Sequence, residues 1–364
     1  MIAVLALIWG FFHWATDGNT FLTARNLSNL FSQMSVTGVL AVGMLMVIVS
    51  GNIDLSVGSV LGFAGGVAAM LLSKFEYPLP VAIGAAVGVS VTIGLLQGML
   101  TAYFNIPAFI VTLGGLLAWR GAVKWLLSGG TIPISDPTYI SIGQSYVGPT
   151  AGWVLAGVAI AFVLFMAVRR ARSAVNLGLG KANYAGELLK TIIPIVGIVM
   201  FIYVMNSFED KGVPVRVLIF AAVALVGAFL TTSTTFGRYL YAIGGNADAA
   251  RLSGINNKRN IVKVYLVLGA LTGVAAIMYS ARGSSAAPDA GTLSELDAIA
   301  ACVIGGASLV GGRGSIFGAC LGALIMASLD NGMSLLHVRD FMQDIIKGSI
   351  LVAAVGLDMA GKKR

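Results

Sequence analysis

A few polar residues interrupt or adjoin long apolar runs, and they are the first candidates for chemistry. Asp54 lies in Asn52-Ile53-Asp54-Leu55-Ser56, between one apolar run and the next. A carboxylate there has two readings. It is an intramembrane acid on a solute path, because ionisable groups are costly in lipid and mark function. Or it caps the following helix, with Asp54 or Ser56 taking up free N–H groups at the positive helix end. Asp297 opens a later run in a similar way, with Glu295 beside it, and Asp330-Asn331-Gly332 closes the one after that. Asp330 or Asn331 would meet a hydroxylated solute, or Gly332 simply ends the helix. Gln97, Asn105, Arg120 and Lys124 are further polar positions in or near apolar runs, and Arg120 and Lys124 are expected to snorkel to an interface.

Catalytic sets are missing from this inventory. His13 and His337 stand alone, and Cys302 and Cys320 sit in apolar stretches without metal spacing. They read as small packing residues, and no metal is expected. No G-x-x-x-x-G-K-[ST] occurs: Gly178-Leu179-Gly180-Lys181 lacks the spacing and the preceding strand. Gly312-Arg313-Gly314 lies between apolar runs and is no dinucleotide fingerprint. The chain is not expected to be an enzyme or to bind a cofactor. If ATP and Mg drive it, a separate subunit binds them.

The elements that position these residues follow from composition. Of 364 residues, 57% are apolar and 10% charged, with 47 glycines and a mean hydropathy of +0.91. Soluble domains hold about 45–50% apolar and about 25% charged residues, so this is a polytopic membrane protein. Runs this long are helices, because barrel strands alternate over about 10 residues. Spans are expected near 1–16, 33–50, 56–72, 80–103, 108–127, 151–168, 187–206, 214–231, 261–280, 296–311, 314–333 and 341–358. Breaks near 50–56 and 311–314 leave ten to twelve crossings of an all-α fold in one transmembrane domain, 1–364. The first run lacks a basic leader and a small-residue cleavage site, so a first span starting at or before Met1 is expected, with a short cytoplasmic tail ahead of it.

The formal charge of +8 is a topology signal. Segments 169–186, 232–263 and the tail Lys362-Lys363-Arg364 hold twelve of the 23 basic residues, with few acids. By the positive-inside rule these face the cytoplasm, as do both termini. Nucleic acid is not implied. The outer loops 128–150 and 281–295 read as connectors or as a landing surface for a partner.

Segments 47–70 and 303–326 repeat at an offset of 256, sharing Val47/Val303, Ile48/Ile304, Gly58/Gly314, Ser59/Ser315, Gly62/Gly318, Gly66/Gly322 and Met70/Met326. In each, an apolar run breaks and a helix follows with glycines every fourth residue. Paired interruptions point to a transport site; tight helix packing on the glycine face is the competing reading.

The inner loop 232–260 holds a complete short-helix signal. Asn246 is the N-cap, Asp248 and Arg251 match the dipole across Ala249 and Ala250, and Gly254 is the left-handed stop. Leu252 and Ile255 are available to dock a partner that pushes on the membrane part.

These residues carry a family resemblance. Asn52-Ile53-Asp54-Leu55-Ser56-Val57-Gly58-Ser59, Asn105-Ile106-Pro107-Ala108-Phe109-Ile110-Val111-Thr112-Leu113, Tyr241-Ala242-Ile243-Gly244-Gly245-Asn246, Ala250-Arg251-Leu252-Ser253-Gly254-Ile255 and Glu295-Leu296-Asp297-Ala298-Ile299-Ala300-Ala301 span most of the chain. Together they resemble the permease subunit of bacterial ATP-binding-cassette sugar importers of the ribose/xylose/galactose type. Ala327-Ser328-Leu329-Asp330-Asn331-Gly332-Met333-Ser334 looks most like the xylose branch. The resemblance implies a homodimer with a second permease copy in the inner membrane, two cytoplasmic ATP-binding-cassette domains and a periplasmic sugar-binding protein. It implies a monosaccharide substrate, and a coupling helix at Asn246, Asp248, Ala249, Ala250, Arg251, Leu252 and Gly254, where Asp248 replaces the usual Glu and the downstream Ile-x-Leu-Pro is missing. Asn52, Asp54, Ser56, Asn105, Phe109, Asp297, Asp330 and Asn331 are then the candidate path. An ion-coupled secondary sugar transporter, with Asp54 or Asp297 as ion site, is the alternative.

Overall fold

The computed structural model describes residues 1–176, 184–209 and 211–361. Lys181 and the basic tail 362–364, used above for orientation, lie outside them. The chain is helical: α1 (Ile2–Ala15), α2 (Ala24–Val49), α3 (Val57–Ala69, continuing as a π-turn to Lys74), α4 (Leu79–Tyr103), α5 (Ala108–Leu126), α6 (Pro137–Gln144), α7 (Pro149–Asn176), α8 (Tyr184–Asn206), α9 (Val215–Ser233), α10 (Thr235–Gly245), α11 (Ala247–Leu252), α12 (Asn257–Gly283), α13 (Ser294–Ile304), α14 (Ile316–Leu335) and α15 (Asp340–Gly361). Among the described residues nine helices are long and apolar enough to cross a membrane. In lipid a helix satisfies its own backbone, which is why such apolar sequences form long continuous helices.

The chain divides into two compact units. One comprises 22–29 and 146–215, the other 1–21, 30–145 and 216–364. In the smaller unit α7 packs on α8, and β2 (Tyr146–Val147) pairs antiparallel with β3 (Val213–Pro214). The larger unit is built around α2, whose residues 39–49 are almost wholly buried. Its most extensive helix pair is α4 with α12. They approach through small residues: a Cβ on Gly94 would overlap the carbonyl of Tyr265, and one on Gly269 would lie 2.5 Å from that of Ser90. Close backbone approach of this kind is how helices associate without a hydrophobic driving force, and it accounts for part of the glycine excess.

The structure corrects several sequence expectations. The run 296–311 is not one helix: α13 stops at Ile304, and 305–315 is irregular although still partly apolar. Gly332 does not end α14, which continues to Leu335; the glycine instead admits the ring of Phe12 from α1. Loop 128–150 is more than a connector. It forms β1 (Ile132–Pro133), which pairs with β4 (Ser285–Ala286) of loop 281–295, and contains α6, capped by Asp136. Arg120 does not snorkel: its Nη1 donates to the carbonyl of Ala290 at 2.8 Å and that of Pro288 at 3.5 Å.

Candidate functional site

The two helix breaks and the end of α10, which leads into the short helix α11, meet in the larger unit. The first break, 50–56, separates α2 from α3; the second, 305–315, separates α13 from α14. The Gly312 amide donates to the carbonyl of Val49 at 2.9 Å, joining one break to the other. Gly244, near the end of α10, presses between them. A Cβ there would overlap the Val49 oxygen and stand 2.6 Å from the Gly312 nitrogen. Only a residue without a side chain lets three backbones pass this closely. Tyr241, one turn earlier, donates its hydroxyl to the carbonyl of Gly314 at 2.8 Å. Partial burial raises its phenol above the ordinary tyrosine value, so it remains a donor at physiological pH.

This joint leads directly into α11. Asn246 Oδ1 accepts from the Ala249 amide at 2.9 Å, and Asp248 pairs with Arg251 at 3.6 Å on the exposed face. Gly254 adopts φ +84°, with the Gly254 amide bonded to Arg251 and the Ile255 amide to Ala250; this double bond pattern closes a helix at a left-handed residue. Asn257 Nδ2 ties the start of α12 back to the carbonyl of Ala247 at 2.7 Å. Ala250 is buried, and Leu252 projects at 84% exposure. Ile255 is only half-buried and offers less of a docking surface than expected.

Around the first break, Asp54 is 1% exposed and Ser56 0%. Asp54 Oδ1 accepts from the Ser56 amide at 2.6 Å and from its hydroxyl at 2.7 Å, so the carboxylate sits at the start of α3 as a cap. Gln97 Nε2 of α4 donates to Ser56 Oγ at 2.8 Å. A cavity of about 10 Å³ adjoins them, lined also by Ser90, Tyr265 and Thr272, which is at the lower limit for one water molecule. Asn52 turns away, donating to the Ser50 hydroxyl at 3.1 Å.

Asp297 and Asp330 form a separate group. Lys347 of α15 places its Nζ 3.4 Å from Asp297 Oδ1, 3.3 Å from Asp330 Oδ1 and 4.0 Å from Asp344 Oδ1. One ammonium thus holds α13, α14 and α15 together, beside a cavity of about 80 Å³. Asn331, the next residue along α14, is buried. Asn105 and Phe109 lie elsewhere again, both exposed where α4 gives way to α5; Asn105 is left-handed at φ +53°. The eight path candidates therefore fall into three groups. Sequence reading missed Lys347 and the bridging role of Tyr241. A lone lysine within the run 341–358 was the available signal for Lys347.

The glycines spaced by four serve packing. A Cβ on Gly318 would overlap the carbonyl of Gly305, just past the end of α13, one on Gly322 that of Ala301 on α13, and one on Gly62 would stand 2.5 Å from that of Ala290.

Comparison with known proteins gives a consistent family. Residues 26–355 match the model of a family described as the branched-chain amino acid transport system permease component. The xylose transport system permease protein XylH of Haemophilus influenzae is 47% identical over all of this chain and 96% of its own length. Its Escherichia coli counterpart is 44% identical over 100% of this chain and 92% of that protein. The ribose import permease RbsC of Escherichia coli is 36% identical over 94% and 88% of the two chains. No solved structure matches.

Proposed function

The chain belongs to this permease-component family, and we propose from its full-length likeness to xylose permeases that it is the membrane subunit of an ATP-binding-cassette importer for a monosaccharide, a pentose such as D-xylose. The relatives are permease components of sugar transport systems, which favours this reading over the ion-coupled alternative.

The working unit in this reading is a homodimer in the inner membrane, with ten to twelve crossings per chain and both termini in the cytoplasm. The basic segments flanking α11 support that orientation. Two ATPase subunits bind ATP and Mg on the cytoplasmic side. A periplasmic sugar-binding protein delivers the substrate to the outer loops and carries most of the specificity.

Transport follows alternating access. Leu252 is the apolar knob of α11 that seats on the ATPase. When the ATPases close, α11 moves α10 with it, and Gly244 and Tyr241 transmit the displacement to Val49, Gly312 and Gly314. Both helix breaks are then shifted at once, and the helices beyond them tilt. The observation that carries this reading is the contact of Gly244 with both breaks.

The test is uptake of labelled D-xylose by vesicles holding the chain, its ATPase and its binding protein. Uptake should require ATP and the ATPase subunit and survive an uncoupler. Uptake without the ATPase that collapses with an uncoupler would restore the ion-coupled alternative. Within the assembly, Arg251→Ala or Gly254→Val should leave ATP hydrolysis running while uptake falls; unchanged coupling would remove the role of α11.

A further inference from the structure

A groove between α9 and α12 has no part in the mechanism above. Its floor is Val42 and Met46 of α2, and its walls include Val223 and Val226 of α9 and Val267 and Ala270 of α12. It encloses about 270 Å³ and every residue lining it is apolar. A concave, carbon-lined slot on membrane-spanning helices suits a hydrocarbon chain.

The end of the groove toward the start of α12 is charged. Lys263 lies one turn before Val267 on the same helix face, and Arg259 one turn before that. Both are exposed, and among the described residues neither forms an ion pair. Their neighbour Lys258 is differently engaged, with its Nζ 5.7 Å from the ring centre of Tyr103. Neither α9 nor α12 contains a single Asp or Glu, so neither helix forming these walls supplies a counter-charge.

We propose that this groove binds one acyl chain of an anionic phospholipid, with the phosphate held by Arg259 and Lys263. Basic positions at the membrane surface next to an interhelical slot recognise such headgroups. A second copy of this chain fits less well. A two-fold contact through this face would bring the same patch of each copy together, setting unpaired cations against cations. The lipid would sit where α12 emerges beside α10 and α11, and so would bear on the helices assigned to coupling. The site itself does not depend on that assignment.

The test uses the purified full-length chain, delipidated in detergent and titrated with phosphatidylglycerol or phosphatidylethanolamine under native mass spectrometry. Phosphatidylglycerol should bind preferentially. The double substitution Arg259→Gln, Lys263→Gln, on exposed positions that do not hold the fold, should weaken it by roughly 30-fold, as expected for two surface cations. Ala270→Trp, which fills the slot, should abolish that binding. A phosphatidylglycerol with a photoreactive acyl chain should label α9 or α12 within the groove. Equal binding of both lipids, unchanged affinity in the double variant, or label found only elsewhere would overturn the proposal. So would a disulfide between two copies carrying Ala270→Cys, since the face would then be a subunit contact.

Discussion

The two helix breaks occupy corresponding places in the repeated segments but are built differently. The first is held by side chains: Asp54 caps α3, Ser56 and Gln97 extend the network, and the whole is sealed from solvent. The second is mainly backbone, with Gly306, Gly311, Gly312 and Gly314 all at positive φ and Ser315 Oγ capping α14 through the Gly318 amide at 3.0 Å. The new helices also start out of step, at Val57 and Ile316. A fixed polar plug faces a run of pliable backbone, so a push through Gly244 should deform the second break more readily than the first.

The largest expected effect is at their shared joint. Gly244→Val must separate α10 from Val49 and Gly312, and overpacking of this kind costs at least about 1–3 kcal/mol. ATP-driven uptake should be lost while the chain still reaches the membrane, read by vesicle transport beside membrane immunoblotting. Next is Asp54→Ala, which leaves the buried Ser56 amide unpaired and its hydroxyl with only the longer bond to Gln97 Oε1 at 3.3 Å, at a cost of about 1–3 kcal/mol. Asp54→Asn keeps an acceptor and should recover most of that loss in thermal stability. If both variants fall equally, the charge of Asp54 matters more than its cap.

Lys347→Met comes third. It leaves Asp297 and Asp330 facing each other without a cation. Their partial exposure brings the cost below the ~3–5 kcal/mol of a fully buried broken pair. Asp330→Asn in that background should restore part of the stability by removing one of the like charges. The smallest effect is expected for Tyr241→Phe, which deletes one hydrogen bond worth about 0.5–1.5 kcal/mol. It should lower coupling, measured as sugar moved per ATP, with little change in melting temperature. Unaltered coupling would confine transmission to Gly244.

What could be read from the sequence was local. Asn246, Asp248, Arg251 and Gly254 predict α11 because capping chemistry acts within a few residues, and the structure has the same cap and the same stop. Asp54 was open between acid and cap for a related reason: its bonding partners lie two residues away, but its burial depends on α4 and α12. The joint itself was not legible. Val49, Gly244 and Gly312 are widely separated in the chain, and nothing in a glycine announces which backbone it admits. Gly332 misled in the opposite direction. Asn331-Gly332 has the form of a helix stop, yet the glycine is required by Phe12 from the other end of the chain. The early end of α13 was hidden because Ala307, Leu309 and Val310 continue the apolar run after the helix has stopped.

The pairing of β1 with β4 does more than tidy two loops. Ile134 donates to the Ser284 carbonyl at 2.8 Å, Gln144 Nε2 to that of Arg282 at 3.0 Å, and Ser73 Oγ to that of Pro133 at 2.6 Å. These stitches fasten the last turn of the α3 segment, the chain leaving α5 and the end of α12 to one another. At 1.5 Å per residue, α12 alone extends about 40 Å from that seam. In the proposed transport cycle, a small angular change of α12 and the α4 packed along it at this seam would become a displacement of several ångströms at the far end, where α11 meets α12.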